Sequence, residues 1–149
     1  MTFVSLHAES LTLGSVKIDG LPDIKIGDDA EVVQKALNTT LQPEEVDTLG
    51  PTTPFTLKKT QLHLKTRGIW VFFAKGKLVT IRLDLPFAGN INGIKLGDST
   101  QKIEKTLGAP VKRAVWAGLT GYTYYFDDVT TTRLMLNKDD ELETVFLDK

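Results

Sequence analysis

A fourteen-residue segment occurs twice in this chain and restricts the folds that are open to it. Ile24–Leu37 aligns without gaps, 70 positions on, with Ile94–Leu107, and six of the aligned pairs are identical. In each copy a glycine precedes an aspartate, Asp28 or Asp98, which predicts a helix N-cap, and a Glu or Gln three residues later completes a capping box. The sequence therefore predicts two short helices with the same kind of start.

Strand-like alternation of apolar and polar residues follows each repeated segment. In each copy two such runs flank a short turn, the pattern typical of a β-hairpin. The first hairpin is predicted over Trp70–Phe73 and Leu78–Leu83 with its turn at Lys75-Gly76, and the second over Leu134–Asn137 and Leu142–Leu147 with its turn at Asp139-Asp140.

This order of elements predicts an α+β fold. Two helix-plus-antiparallel-sheet repeats are expected to form one continuous sheet with the helices on one face. We predict a single domain over 1–149, made of pseudo-repeats at about 20–89 and 90–149 and preceded by an N-terminal β-hairpin at about 1–19. The Pro- and Thr-rich stretch Gln42–Pro54 is predicted to be the one linker-like segment.

The second copy carries a family resemblance. Ile94–Pro110, followed by the tyrosine strand Gly121–Tyr125, resembles the BamE-like (SmpA/OmlA) module, in which such a helix precedes a Gly-x-x-x-Tyr-x-Tyr strand. Two such modules in tandem are similar to the architecture of the β-lactamase inhibitor protein. The resemblance implies a protein that binds other proteins, as enzyme inhibitors, outer-membrane assembly lipoproteins and bacterial immunity proteins do.

Composition removes much of the chemistry that a chain of 149 residues could perform. There is no cysteine, which excludes disulfides, thiol catalysis and cysteine zinc sites, and two histidines leave little for a metal site. No catalytic motif is present. We therefore expect no enzymatic activity, no cofactor and no metal, with a small-molecule enzyme kept as a weaker option. The net charge of −1 does not favour a nucleic-acid partner.

Alternation along the strands also predicts a binding face. Trp70 and Phe72 are expected to face the helices, whereas the opposite face is rich in the aromatic, Met and Arg side chains that protein interfaces favour. The predicted partner-binding residues are His63, Lys65, Phe73, Arg82, Tyr125, Arg133, Met135 and Phe146. Permanent cover of this face, by the N-terminal hairpin or by another chain, is the alternative. The acidic turn Asp139-Asp140-Glu141 is a rival site.

These features predict a non-enzymatic protein inhibitor, specifically a bacterial immunity protein that neutralises a cognate toxin enzyme. A cell-envelope assembly or scaffold protein of the BamE-like kind is the alternative. The expected partner is a protein, not nucleic acid or a membrane, and the chain is expected to be a monomer or weak homodimer. Met1–Ser10 lacks the basic and apolar regions of a signal peptide. A cytoplasmic location is therefore expected, or a periplasmic one if a signal peptide has been removed.

Overall fold

The computed structural model describes residues 10–13, 16–46 and 59–149. Residues 1–9 and 14–15, within the predicted N-terminal hairpin, and residues 47–54 of the predicted linker lie outside the described residues. The elements, in chain order, are β1 (Ser10–Leu13), β2 (Val16–Asp19), α1 (Ala30–Ala36), β3 (Glu44–Val46), β4 (Lys59–Leu64), β5 (Ile69–Ala74), β6 (Lys77–Asp84), α2 (Thr100–Leu107), β7 (Lys112–Trp116), β8 (Leu119–Tyr124), β9 (Thr131–Leu136) and β10 (Leu142–Asp148).

One antiparallel sheet of eight strands dominates the described structure. Its strand order is β3-β4-β5-β6-β10-β9-β8-β7, while β1 and β2 form a separate antiparallel pair. The junction lies between β6 and β10, where Arg82 is opposite Phe146. Hydrogen bonding therefore runs without a break from β3 to β7.

The predicted fold class, two helix-plus-sheet repeats with the helices on one face, is wrong. The described residues form one eight-stranded sheet, a separate two-stranded pair and two short helices of seven and eight residues. The helices are about 10–12 Å long at about 1.5 Å per residue, whereas eight strands span about 34 Å at their usual spacing. Helices of this length are too small to form the second layer of two repeats.

The predicted helix caps are displaced by one residue. The N-caps are Asp29 and Ser99, and the Ser99 hydroxyl accepts a hydrogen bond from the Lys102 N–H at 3.2 Å. The side chains of Asp28 and Asp98 point away from the helices, because each carboxylate accepts a hydrogen bond from the backbone N–H three residues earlier. Only Ser99 caps its helix with a side-chain hydrogen bond, whereas the Asp29 carboxylate pairs with Lys77 instead.

The repeated segments nevertheless dock on the two predicted hairpin turns with the same bonds. The Gly27 N–H donates to the Leu78 carbonyl and the Leu78 N–H donates to the Asp28 carbonyl, both at 2.8 Å. Gly97, Asp98 and Leu142 repeat the exchange at the same distance. The sequence identity between the segments therefore reflects a shared local structure.

One side of the sheet packs into a single hydrophobic core. The helices contribute Val33 and Ile103 to it, and β2 contributes Val16 and Ile18, all four fully buried. The segments that connect the elements supply the remaining cover, through Leu21, Ile24, Phe87, Ile91, Ile94 and Leu96. The core therefore depends more on irregular segments than on helices.

The side-chain order along β5 differs from the predicted one. Val71 and Phe73 are fully buried in the core, whereas Trp70 and Phe72 are only half-buried and point to the other side of the sheet. A register shift separates Phe72 from Phe73 in the pairing with β6. The assignment of Phe73 to the binding face is therefore wrong.

Candidate binding face

The side of the sheet opposite the core is called the open face here. Its partly exposed side chains come from β4, β5, β6, β10 and β9, so they cross most of the sheet. They include Gln61, His63, Trp70, Phe72, Thr80, Arg82, Arg133, Met135 and Phe146.

Five of these side chains form a row perpendicular to the strands. The register places His63 opposite Trp70, Trp70 opposite Arg82, Arg82 opposite Phe146, and Phe146 opposite Arg133. Residues directly opposite on neighbouring strands have side chains close enough to touch. We call this row the cation–aromatic ladder.

The members of the ladder stack on one another. The rings of His63 and Trp70 lie 3.5 Å apart and 13° from parallel. The Arg82 guanidinium carbon lies 5.2 Å from the Trp70 ring centre and 5.5 Å from that of Phe146, with Arg133 over the same phenyl ring at 5.6 Å. A cation over an aromatic ring contributes about 0.5–1 kcal/mol at an exposed site. The ladder is therefore a surface of flat groups held in fixed orientations.

Two carboxylates fix the polar ends of these side chains. Asp84 accepts hydrogen bonds from the Trp70 indole N–H at 3.0 Å, from Arg82 Nε at 3.0 Å and from the Thr144 hydroxyl at 2.8 Å. Asp148 forms an ion pair with Arg133. Each arginine of the ladder therefore has a carboxylate partner on the face itself.

Burial lowers the pKa of His63 below its ordinary value of 6.5, and the charge of Lys65 lowers it further. The nearby Asp84 acts in the opposite direction, and Arg82 adds a smaller lowering effect. The imidazole is therefore mostly neutral at neutral pH. At acidic pH the His63 imidazole is protonated, which places a positive charge at this end of the ladder.

The open face is hollow on its β7–β9 side. A cavity of about 480 Å³ lies there beside Arg133, with β7, β8, β9 and β10 contributing to its walls. Its lining residues are Lys112, Ala114, Trp116, Gly121, Tyr122, Thr123, Arg133, Met135 and Phe146. We call this cavity the β7–β10 groove.

The structure places most of the predicted binding residues on the open face. His63, Arg82, Arg133 and Phe146 belong to the ladder, and Met135 lines the groove. Their role in binding stays a prediction.

Three predicted residues belong neither to the ladder nor to the groove. Lys65 is exposed just beyond β4, Tyr125 is 56% exposed just beyond β8, and Phe73 is in the core. Sequence reasoning missed Trp70 and Phe72. It assigned them to the helix side because it reversed the two faces of β5, the error that also misplaced Phe73. Four apolar residues in a row, Ile69-Trp70-Val71-Phe72, show no alternation that could have revealed their faces.

The rival acidic turn has a structural role. The Asn137 side-chain oxygen accepts hydrogen bonds from the Asp139 N–H at 2.8 Å and the Glu141 N–H at 3.0 Å, and the Asp140 carbonyl accepts one from the Thr100 N–H at the start of α2. The side chains of Asp139, Asp140 and Glu141 are exposed. The turn therefore stays a possible contact site, but its backbone is occupied in holding α2.

The tyrosines of the β8 motif connect the sheet to α2. The Tyr124 hydroxyl donates to the Gly108 carbonyl at 2.8 Å, and the Tyr122 hydroxyl donates to Glu104 at 3.1 Å. Burial raises the pKa of Tyr124 to about 12, so this hydroxyl remains a donor at neutral pH. Both tyrosine hydroxyls therefore form their hydrogen bonds on the α2 side of the sheet rather than on the open face.

Within the ranges 10–13, 16–46 and 59–149, no group of three or more His, Cys, Asp or Glu side chains is placed to hold a metal ion. No helix in this part of the chain is long and apolar enough to cross a membrane.

Neither a family model nor a curated protein matches the sequence. Solved structures do, and they show a shared fold. A cysteine-rich secretory protein (SAV1118) from Staphylococcus aureus matches with a TM-score of 0.56 at 10% identity, over 83% of this chain and 44% of its own. An extracellular protein containing a SCP domain from Bacillus anthracis matches with a TM-score of 0.51 at 12% identity, over 83% of this chain and 44% of its own.

A DUF4309 family protein (YjgB) from Bacillus subtilis matches with a TM-score of 0.49 at 14% identity, over 81% of this chain and 78% of its own. The chain spans less than half the length of the first two proteins, and at these identities the likeness concerns the fold alone. The resemblance to BamE-like modules stays a prediction.

Proposed function

We propose that this chain is a protein-binding module that acts without catalysis and docks its open face on a partner protein. The cation–aromatic ladder is the observation that carries the proposal. Trp and Arg are enriched among the residues that carry most interface binding energy, and Phe is enriched at interfaces; in the ladder they lie side by side on a partly exposed surface.

Stacking makes these side chains suitable for binding. An interface pays about 0.5–1.5 kcal/mol for each flexible side chain that it immobilises. Trp70 and Arg82 are already fixed by Asp84, and Arg133 is fixed by Asp148. A partner that meets these groups has little side-chain entropy left to remove.

The charge distribution favours a protein partner over nucleic acid. Asp84 and Asp148 lie among the ladder cations, where they would repel a phosphate backbone. Lys65 and Lys112, near opposite ends of the open face, form no ion pair with the described residues. The surface that fits is an apolar or aromatic ridge with a carboxylate at each end.

Affinity capture from the native organism tests the proposal. The bait is the full chain, compared with Trp70→Ala, which removes the centre of the stack, and with Val32→Ala, a matched control at a half-exposed position of α1. We expect one protein to be retained by wild type and by Val32→Ala and lost with Trp70→Ala. Equal retention by all three baits contradicts docking through the open face.

The finer predictions belong to the same proposal. A bacterial immunity protein would bind the toxin enzyme encoded beside it and inhibit that enzyme at equimolar concentration. A BamE-like scaffold would instead be recovered with envelope proteins. Capture with the product of the neighbouring upstream gene, followed by an inhibition assay, separates the two.

The cytoplasmic location also stays a prediction. Two of the structural neighbours are described as secretory or extracellular, so export is the competing possibility. Fractionation of the native organism, with detection of the full-length protein, decides between them.

A further inference from the structure

The β7–β10 groove is open because two residues on its floor are small. Ala114 and Gly121 are directly opposite on β7 and β8, and Gly121 is opposite Met135 on β9. A Cβ added at Gly121 would lie 3.2 Å from Met135 Sδ, the far end of a flexible side chain. Gly121 also lacks the positive φ that would require glycine. The glycine therefore lets the Met135 side chain lie against the floor of the groove, rather than relieving backbone strain.

The body of the groove is apolar. Trp116 and Phe146 provide aromatic rings, and Met135 provides a thioether that adapts to irregular ligand shapes. Trp116 is 73% exposed, whereas tryptophan side chains are highly buried on average. A ligand chain that covered Trp116 would bury apolar surface on both molecules.

The charged residues that line the groove are both cations. Lys112 forms no ion pair with the described residues, whereas Arg133 is paired with Asp148. An anion beside Lys112 would therefore gain an ion pair without breaking one. The volume of about 480 Å³ also lies in the usual range for small-molecule sites.

We propose that the β7–β10 groove binds a small amphipathic carboxylate, with its alkyl or aryl chain against Trp116, Met135 and Phe146 and its carboxylate on Lys112. This site goes beyond protein docking and does not depend on it. A ligand here would occupy one end of the open face and could compete with a partner protein.

Methionine methyl NMR reads this site directly, because Met1 and Met135 are the two methionines of the chain. Octanoate is the probe, and acetate and octylammonium are controls that lack the chain or reverse the charge. We expect a saturable shift of the Met135 signal with octanoate, and at least about tenfold weaker effects with both controls.

Two variants and one matched control define the contacts. Gly121→Val fills the groove and should abolish the octanoate shift. Lys112→Met removes the cation at similar size and should weaken octanoate binding about tenfold, while Lys102→Met on exposed α2 should leave it unchanged. No saturable shift, an equal response to octylammonium, or unchanged affinity in Lys112→Met overturns the proposal.

Discussion

The open face has a filled side, over β4–β6, and a hollow side, over β7–β9. The same antiparallel sheet underlies both. On the β4–β6 side, His63, Trp70 and Arg82 stack directly and cover the strands. On the β7–β9 side, Ala114 and Gly121 occupy positions facing the same way and leave a groove of about 480 Å³. Side-chain size therefore decides which part of this face offers a surface and which part offers a cavity.

The largest expected effect on stability comes from truncating Phe73, a core residue beneath the filled side. Phe73→Ala should lower the free energy of unfolding by about 3–5 kcal/mol, the usual cost of a buried Phe→Ala cavity, because Phe73 is fully buried. Phe72→Ala, its half-buried neighbour on the open face, should cost about 1 kcal/mol. Urea denaturation of both variants measures the difference. Similar costs would contradict the observed side-chain order of β5.

Removal of Asp84 should loosen the filled side itself. Asp84→Ala leaves the Trp70 indole, Arg82 Nε and the Thr144 hydroxyl without their acceptor, at a cost of about 1–3 kcal/mol. Asp148→Ala removes the carboxylate that pairs with Arg133 and should cost about 0–1 kcal/mol. If the two variants unfold at the same urea concentration, the Asp84 bonds do not hold the ladder.

Acid should weaken the filled side through His63. Its pKa is about 6.5 in the unfolded chain and lower in the folded one. The unfolded state therefore binds more protons as the pH falls through this window, and stability is lost. We expect the free energy of unfolding to decrease between about pH 7.5 and pH 5, with a smaller decrease in His63→Gln. Parallel pH profiles for the two proteins would rule out this contribution.

Filling the hollow side should change stability least. Gly121→Val adds a β-branched side chain to a strand and displaces only the end of Met135, so the free energy of unfolding should change by less than about 1 kcal/mol. Gly68→Ala is the contrasting glycine, since its Cβ would lie 2.0 Å from the Asp84 carbonyl oxygen at a φ of +67°. A loss of more than about 1 kcal/mol is expected there. Thermal denaturation compares them.

The sequence predicted this molecule best where one residue type determines the local geometry. The Lys75-Gly76 turn forms as expected, with both residues at positive φ, and alternation on β9 correctly assigns Arg133 and Met135 to the side opposite the core. In such places the backbone requirement and the residue pattern agree. Turns and half-buried strands were therefore predictable.

It failed where several arrangements satisfy the same pattern. Trp70-Val71-Phe72-Phe73 contains no polar residue, so neither its faces nor the register shift after Phe72 could be inferred. The strand Lys112–Trp116 is exposed at every residue and gives no alternation signal at all. The ladder and the groove depend on these two segments, and the candidate site was for that reason only partly predictable.

The central claim is tested most directly by measuring how tightly a captured partner binds the two variants Trp70→Ala and Trp116→Ala. Trp70 is stacked within the ladder, whereas Trp116 is exposed beside the groove. By isothermal titration calorimetry, Trp70→Ala should weaken binding at least about tenfold, the effect expected of a hot-spot residue, while Trp116→Ala should change the Kd less than about threefold. Thermal denaturation should show both variants folded. Unchanged affinity in a folded Trp70→Ala variant would contradict binding through the cation–aromatic ladder.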